Sequence, residues 1–178
     1  MFFHNKQIIL KKKANENRIL ALDQATHITG WSIFDGTELT RYGIYEAEGE
    51  EEAQRFHKIK EWLISMIENW QPDMIGIEGI QYQSDIGVTT FQTLARLQGI
   101  LIDLCYELKI PCKICHTKTW KAHCGVKGRS RSDQKKSMQN LVKNWFDVSV
   151  EEDEADAIGI GKYVAENFLK RTEIVDWE

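Results

Sequence analysis

The chain has 178 residues, 42% of them hydrophobic, enough for one domain with a real core, and only two prolines and twelve glycines, which excludes collagen-like and low-complexity chains. Net charge is -4, but ten Lys or Arg and one acid, Asp133, fall between Lys109 and Lys143; this segment carries +9 and the rest of the chain -13. A basic segment threaded with His116, Trp120 and His123 suits a phosphate backbone; the alternative is a solvated basic helix face. The apolar runs are too short to cross a membrane, and Lys11-Lys12-Lys13 follows Ile8-Ile9-Leu10 with no cleavage site, so a cytoplasmic, reducing compartment is expected. Free thiols are then expected at Cys105, Cys112, Cys115 and Cys124. Cys112-Lys113-Ile114-Cys115-His116 matches a haem-attachment pattern and, with His123 and Cys124, nominal zinc ligands; on a strand, however, Cys112 and Cys115 point to opposite faces.

Residues 1–17 are lysine-rich and without period and read as an extension; the domain is expected over 18–170 and a tail over 171–178. Ile19-Leu20-Ala21-Leu22 is a buried strand ending at Asp23. Gly30 to Phe34 is a second strand, joined through the hairpin signal Asp35-Gly36 to a third around Leu39 to Tyr45. Phe56, Ile59, Trp62, Leu63, Met66, Ile67 and Trp70 keep helical spacing. Met74-Ile75-Gly76-Ile77 is a strand ending at Glu78, as the first ended at Asp23. A helix through Phe91, Leu94, Leu101, Cys105 and Leu108 leads to a short strand, Cys112 to Cys115, and past the basic segment Met138, Leu141, Val142 and Trp145 mark another helix. The order βββαβαβα predicts an α/β domain: a mixed five-stranded sheet, an antiparallel meander plus parallel strands, flanked by helices.

Ser149-Val150-Glu151-Glu152 has the capping-box pattern and predicts a last helix from Val150 toward Phe168. Asp153 and Asp156 share a face that continues through Ile160, Tyr163 and Val164, so they lean toward the protein. Complementing the helix dipole accounts for Glu151 and Glu152 but poorly for Asp156, which sits within Ala155-Asp156-Ala157-Ile158-Gly159. Four acids converging repel one another unless cations intervene, so convergence of Asp23, Glu78, Asp153 and Asp156 implies Mg²⁺ or Mn²⁺, two ions flanking a scissile phosphate.

These residues resemble the RuvC-type Holliday junction resolvases of the RNase H-like superfamily, particularly those encoded by phages. The resemblance runs from about Arg18 to Phe168, through Leu22-Asp23-Gln24-Ala25-Thr26-His27-Ile28-Thr29-Gly30-Trp31, Ile77-Glu78-Gly79, Leu94-Ala95-Arg96-Leu97-Gln98-Gly99 and Asp153-Glu154-Ala155-Asp156-Ala157. It implies an RNase H-like fold and a homodimeric endonuclease that nicks branched DNA, four-way junctions foremost and flaps and forks as well. Asp23, Glu78, Asp153 and Asp156 would be its metal-binding catalytic acids, and Lys121 and Lys135 its phosphate contacts. Charge alone adds Lys118, Lys127, Arg129, Arg131 and Lys136 as DNA-binding candidates.

Three positions depart from the cellular members. Gln24-Ala25 stands where those have Pro-Gly, and Gln81 stands where they carry an aromatic that enters the junction, the nearest aromatic here being Tyr82. Tyr82 either stacks on an opened base pair or is an exposed loop tyrosine. Other readings to be separated are a ribonuclease cutting RNA in RNA–DNA hybrids, a nucleotide-binding ATPase fragment, for which the chain is too short, and a silent branched-DNA binder.

Overall fold

The computed structural model describes residues 17–82 and 87–168. The expected extension, apart from Asn17, and the expected tail over 171–178 lie outside the described residues. Five strands form one sheet: β1 (Arg18–Asp23), β2 (Ile28–Asp35), β3 (Glu38–Glu46), β4 (Met74–Gly79) and β5 (Cys112–His116), in the order β3-β2-β1-β4-β5. The β1–β2 and β2–β3 pairs are antiparallel, and β1–β4 and β4–β5 are parallel. This is the expected meander followed by parallel strands. The hairpin loop is one residue later than the Asp35-Gly36 signal suggests: Asp35 pairs with Glu38, leaving Gly36 (φ 59) and Thr37 in the turn. Asp35 stays in the strand because the Arg18 guanidinium holds both its carboxylate oxygens, at 2.6 and 2.8 Å, inside the protein.

Alternation along β1 divides the core. Leu20 and Leu22 pack with Ile75 and Ile77 beneath α1 (Glu52–Trp70) and α2 (Val88–Glu107). Ile19 and Ala21 face the other layer, where α5 (Glu152–Phe168) lies against the sheet through Ile160 and Val164, backed by α3 (Thr117–Cys124) and α4 (Arg131–Phe146). Cys112 packs in the first layer and Cys115 in the second, so the C-x-x-C pair does not converge. Among the described residues no helix is long and apolar enough to cross a membrane.

Three helices differ from the sequence expectation. The basic segment contains a helix of its own, α3, and α4 starts seven residues before Met138, at a capping box in which Ser130 Oγ accepts from the Asp133 N–H at 3.1 Å and Asp133 accepts from the Ser130 N–H at 3.2 Å. Polar residues cover the exposed faces of both helices, so the apolar period is carried by few positions, Trp120 and Cys124 in α3 and Met138 and Val142 in α4. The last helix begins at Glu152 rather than Val150. The side chain of Gln139 donates to the Val150 carbonyl at 2.8 Å, which keeps Val150 out of the helix, and the terminal pair is Glu151 with Glu154, the Glu151 N–H donating to Glu154 Oε2 at 2.8 Å.

Candidate active site

The β1–β4 ladder ends at Leu22 opposite Ile77, so Asp23 and Glu78 emerge side by side at the same edge of two central parallel strands. Both continue the face that α5 covers, and the first turns of α5 set Asp153 and Asp156 against them. The four carboxylates line a single cleft of about 340 Å³ together with Lys121 of α3 and Arg131, Gln134 and Lys135 of α4. Asp156 is the most enclosed of the acids on α5, at 9% exposure. The helix shift to Glu152 leaves the three-residue spacing of Asp153 and Asp156, and hence their shared face, intact.

Crowding of like charges marks the cleft electrostatically. Burial pushes the Asp23 carboxyl well above its ordinary value, and the charges of Glu78, Asp156 and Asp153 and a hydrogen bond with Glu78 push it further. Burial likewise raises Asp156, to about 6; Lys121 and Lys135 oppose the rise, while Glu78 and Asp153 add to it. Lys121 Nζ is 4.0 Å from Asp156 Oδ2, and Lys135 is ion-paired with Glu152 at the rim.

Glu78 is held more completely than its place at a strand end requires. Its Oε1 accepts from Thr117 Oγ1 at 3.0 Å and from the Trp120 indole N–H at 3.1 Å, and its main-chain carbonyl accepts from the side-chain amides of Gln24 at 2.7 Å and Gln98 at 2.9 Å. Trp120 is fully buried against Gly159 of α5, where an added Cβ would come within 2.8 Å of the indole ring. Gln24 is 4% exposed and its Oε1 has no hydrogen-bond partner. None of these four supports was a site candidate from sequence. The available signals were a tryptophan among lysines with apolar spacing to Cys124, and Gln24 beside the first acid.

The donor set consists of carboxylate oxygens alone, which is the chemistry of a hard divalent cation rather than of zinc or iron. Among the described residues no three His, Cys, Asp or Glu side chains form a ready-made ligand set, although Asp23 and Glu78 share a hydrogen bond within the cleft. In kind, the donors fit such a cation.

The other basic candidates separate into three places. Lys121, Arg131 and Lys135 line the acid cleft. Lys127 and Lys136 line a second groove on the outer face of α4, with Ser137, Asn140 and Asn144. Lys118 and Arg129 are exposed and line neither. Tyr82 is 57% exposed beyond Glu78, its ring edge-on to Phe91 of α2 at 5.7 Å.

A mixed sheet whose two central strands each end in a carboxylate, crossed by a helix that supplies two more, is the architecture of an RNase H-like nuclease. RuvC of Thermus thermophilus, solved in complex with a Holliday junction substrate, superposes with a TM-score of 0.67 at 12% identity, over 84% of this chain and 96% of that one. The family of the crossover junction endodeoxyribonuclease RuvC matches residues 19–162, and the chain belongs to it. Its relatives include the RuvC proteins of Magnetococcus marinus, 26% identical over 83% of each chain, and of Thermomicrobium roseum, 24% identical over 80% of this chain and 89% of that one.

Proposed function

We propose that the protein is a divalent-metal-dependent endonuclease that nicks four-way DNA junctions, and other branched DNA such as flaps and forks, acting as a homodimer in the cytoplasm. The observation that carries this reading is the cleft that gathers Asp23, Glu78, Asp153 and Asp156 with Lys121, Arg131 and Lys135. A cleft lined by acids and bases together is suited to a phosphodiester, the bases gripping phosphate oxygens and the acids holding the cations that work on it. Asp23, Glu78, Asp153 and Asp156 would hold two Mg²⁺, with Mn²⁺ as a substitute. When bound, these ions supply Lewis acidity that activates the attacking water and relieves charge on the leaving 3′ oxygen.

The chain's own residues orient the reaction. Lys121, beside Asp156, keeps that buried carboxyl closer to its ionised form and places a cation where a phosphate oxygen would enter. Arg131 and Lys135 extend the grip along the backbone, and Lys127 and Lys136 offer a second track on the far face of α4. Lys118 and Arg129 contribute long-range attraction alone. Tyr82, braced by Phe91, is placed to stack on a base opened at the branch point. Two copies would present two clefts to opposed strands.

The test is cleavage of 5′-labelled four-way junction, flap, fork, linear duplex and RNA–DNA hybrid by the protein and its Asp156→Asn variant, with Mg²⁺, Mn²⁺ or EDTA. Paired, metal-dependent junction nicks, absent in the variant, are expected. Cutting of the hybrid alone would instead make the protein a ribonuclease, and binding without cutting a silent junction binder.

A further inference from the structure

We propose that Thr117 and Trp120 are positioning residues that restrict Glu78 to a single metal-facing oxygen, and so make the site select a small divalent cation over Ca²⁺. The inference rests on the reading of Glu78 as a metal-binding acid and goes beyond it, to the choice of ion.

A carboxylate oxygen has two lone-pair directions. Both donors to Glu78 Oε1 come from one turn of α3, the Thr117 hydroxyl at 3.0 Å and the Trp120 indole at 3.1 Å, and together they use the accepting capacity of that oxygen. Oε2 carries neither of these bonds and is the oxygen available to a cation, on a side chain that also shares a hydrogen bond with Asp23. The side chain cannot readily turn to offer both oxygens, because its backbone is pinned as well. The ladder hydrogen-bonds β4 to β1 as far as Ile77, and beyond it the Gln24 and Gln98 amides take over, closing on the Glu78 carbonyl from the residue after β1 and from α2. Trp120 is equally immobile, since it is completely buried with its ring pressed against Gly159. The loop after β1, α2 and α3 thus converge on one residue, all with uncharged donors that add no competing cation to the cleft.

The consequence concerns coordination. Mg²⁺ demands near-ideal octahedral geometry and takes carboxylates through one oxygen, whereas Ca²⁺ accepts six to eight ligands and favours carboxylates that bind through both. With Oε1 occupied, the larger ion loses its two-oxygen mode at Glu78 and the smaller ion loses nothing. The protein fold, through a hydroxyl and an indole that touch no metal, therefore biases the ion.

The experiment is calorimetric titration of the full-length protein with Mg²⁺ and, separately, Ca²⁺, without DNA, for wild type, Thr117→Val, Thr117→Ser, Trp120→Phe and Glu78→Gln, with thermal unfolding of each. Expected are Mg²⁺ affinities roughly tenfold weaker in Thr117→Val and Trp120→Phe, with the Ca²⁺ to Mg²⁺ affinity ratio raised and Thr117→Ser close to wild type. Thr117→Val changes little volume and carries the test if Trp120→Phe unfolds. Unchanged affinities and an unchanged ratio in folded Thr117→Val would overturn the proposal while leaving the metal site standing. Wild-type Mg²⁺ binding by Glu78→Gln would overturn both.

Discussion

Gly30 of β2 stands directly under the first turn of α5: a Cβ there would lie 2.0 Å from the main-chain carbonyl oxygen of Asp153. Gly30 also pairs with Asp23 across the β1–β2 ladder. One missing side chain thereby lets the helix that carries two acids close upon the strand that carries a third.

Gly30→Ala should accordingly push the α5 terminus away from the sheet. A displacement near 1 Å at a reacting centre costs on the order of 100-fold in rate. Junction nicking at saturating Mg²⁺ should fall by about that factor, while binding of the junction in EDTA, measured by gel shift, stays near wild type because Lys121 and Arg131 are carried by α3 and α4 rather than by α5.

Asp156→Asn should abolish nicking yet stabilise the metal-free protein at neutral pH. The folded carboxyl has its pKa raised, from an ordinary 3.8 to about 6, by burial first and then by Glu78 and Asp153. The stabilisation from its protonated form is complete below about pH 3.8 and is lost as pH rises through about 6. In EDTA, wild type should gain stability on acidification from pH 7.5 to 5.5. The variant should begin higher at pH 7.5, by roughly 1–3 kcal/mol, and show a flatter dependence, read by thermal unfolding at both pH values.

Gln24→Met replaces a buried amide whose oxygen has no partner by an apolar side chain of similar length. An unsatisfied buried acceptor costs about 1–3 kcal/mol, so part of that should return as stability. Loss of the bond to the Glu78 carbonyl should at the same time weaken cleavage several-fold. A variant that unfolds later and cuts more slowly is the expected result; one that is destabilised would show that the amide serves packing rather than Glu78.

The two faces of α4 should separate by salt dependence. Removal of one phosphate contact lowers the slope of log K against log salt by about 1. Arg131→Gln should reduce both this slope and the nicking rate at saturating protein, because it lines the acid cleft; Lys127→Gln and Lys136→Gln, in the outer groove, should reduce the slope alone.

Strands and long helices were legible wherever burial imposed a period: Ile19 to Leu22, Met74 to Ile77 and the stripe from Phe56 to Trp70 all read correctly. Asp23 and Glu78 were legible as strand-ending acids for the same reason. α3 and the true start of α4 were not, since their outward faces are polar and the apolar positions too sparse to repeat. The start of α5 was misplaced because Gln139, eleven residues away, takes the Val150 carbonyl.

What the sequence by itself determined was the element order, the sheet composition and the places of four acids, Asp23 and Glu78 at strand ends and Asp153 and Asp156 on one helix face, through local periodicity and a family resemblance. What only the tertiary structure decided was the surroundings of those acids: Thr117 and Trp120 on one oxygen of Glu78, Gln24 and Gln98 on its carbonyl, and Gly30 beneath Asp153. These contacts join segments 20 to 54 residues apart in the Glu78 set, and no local pattern encodes them. They arise because strands buried on both faces bring distant chain segments to one sheet edge, where a polar group must find its partner across the fold or go without one.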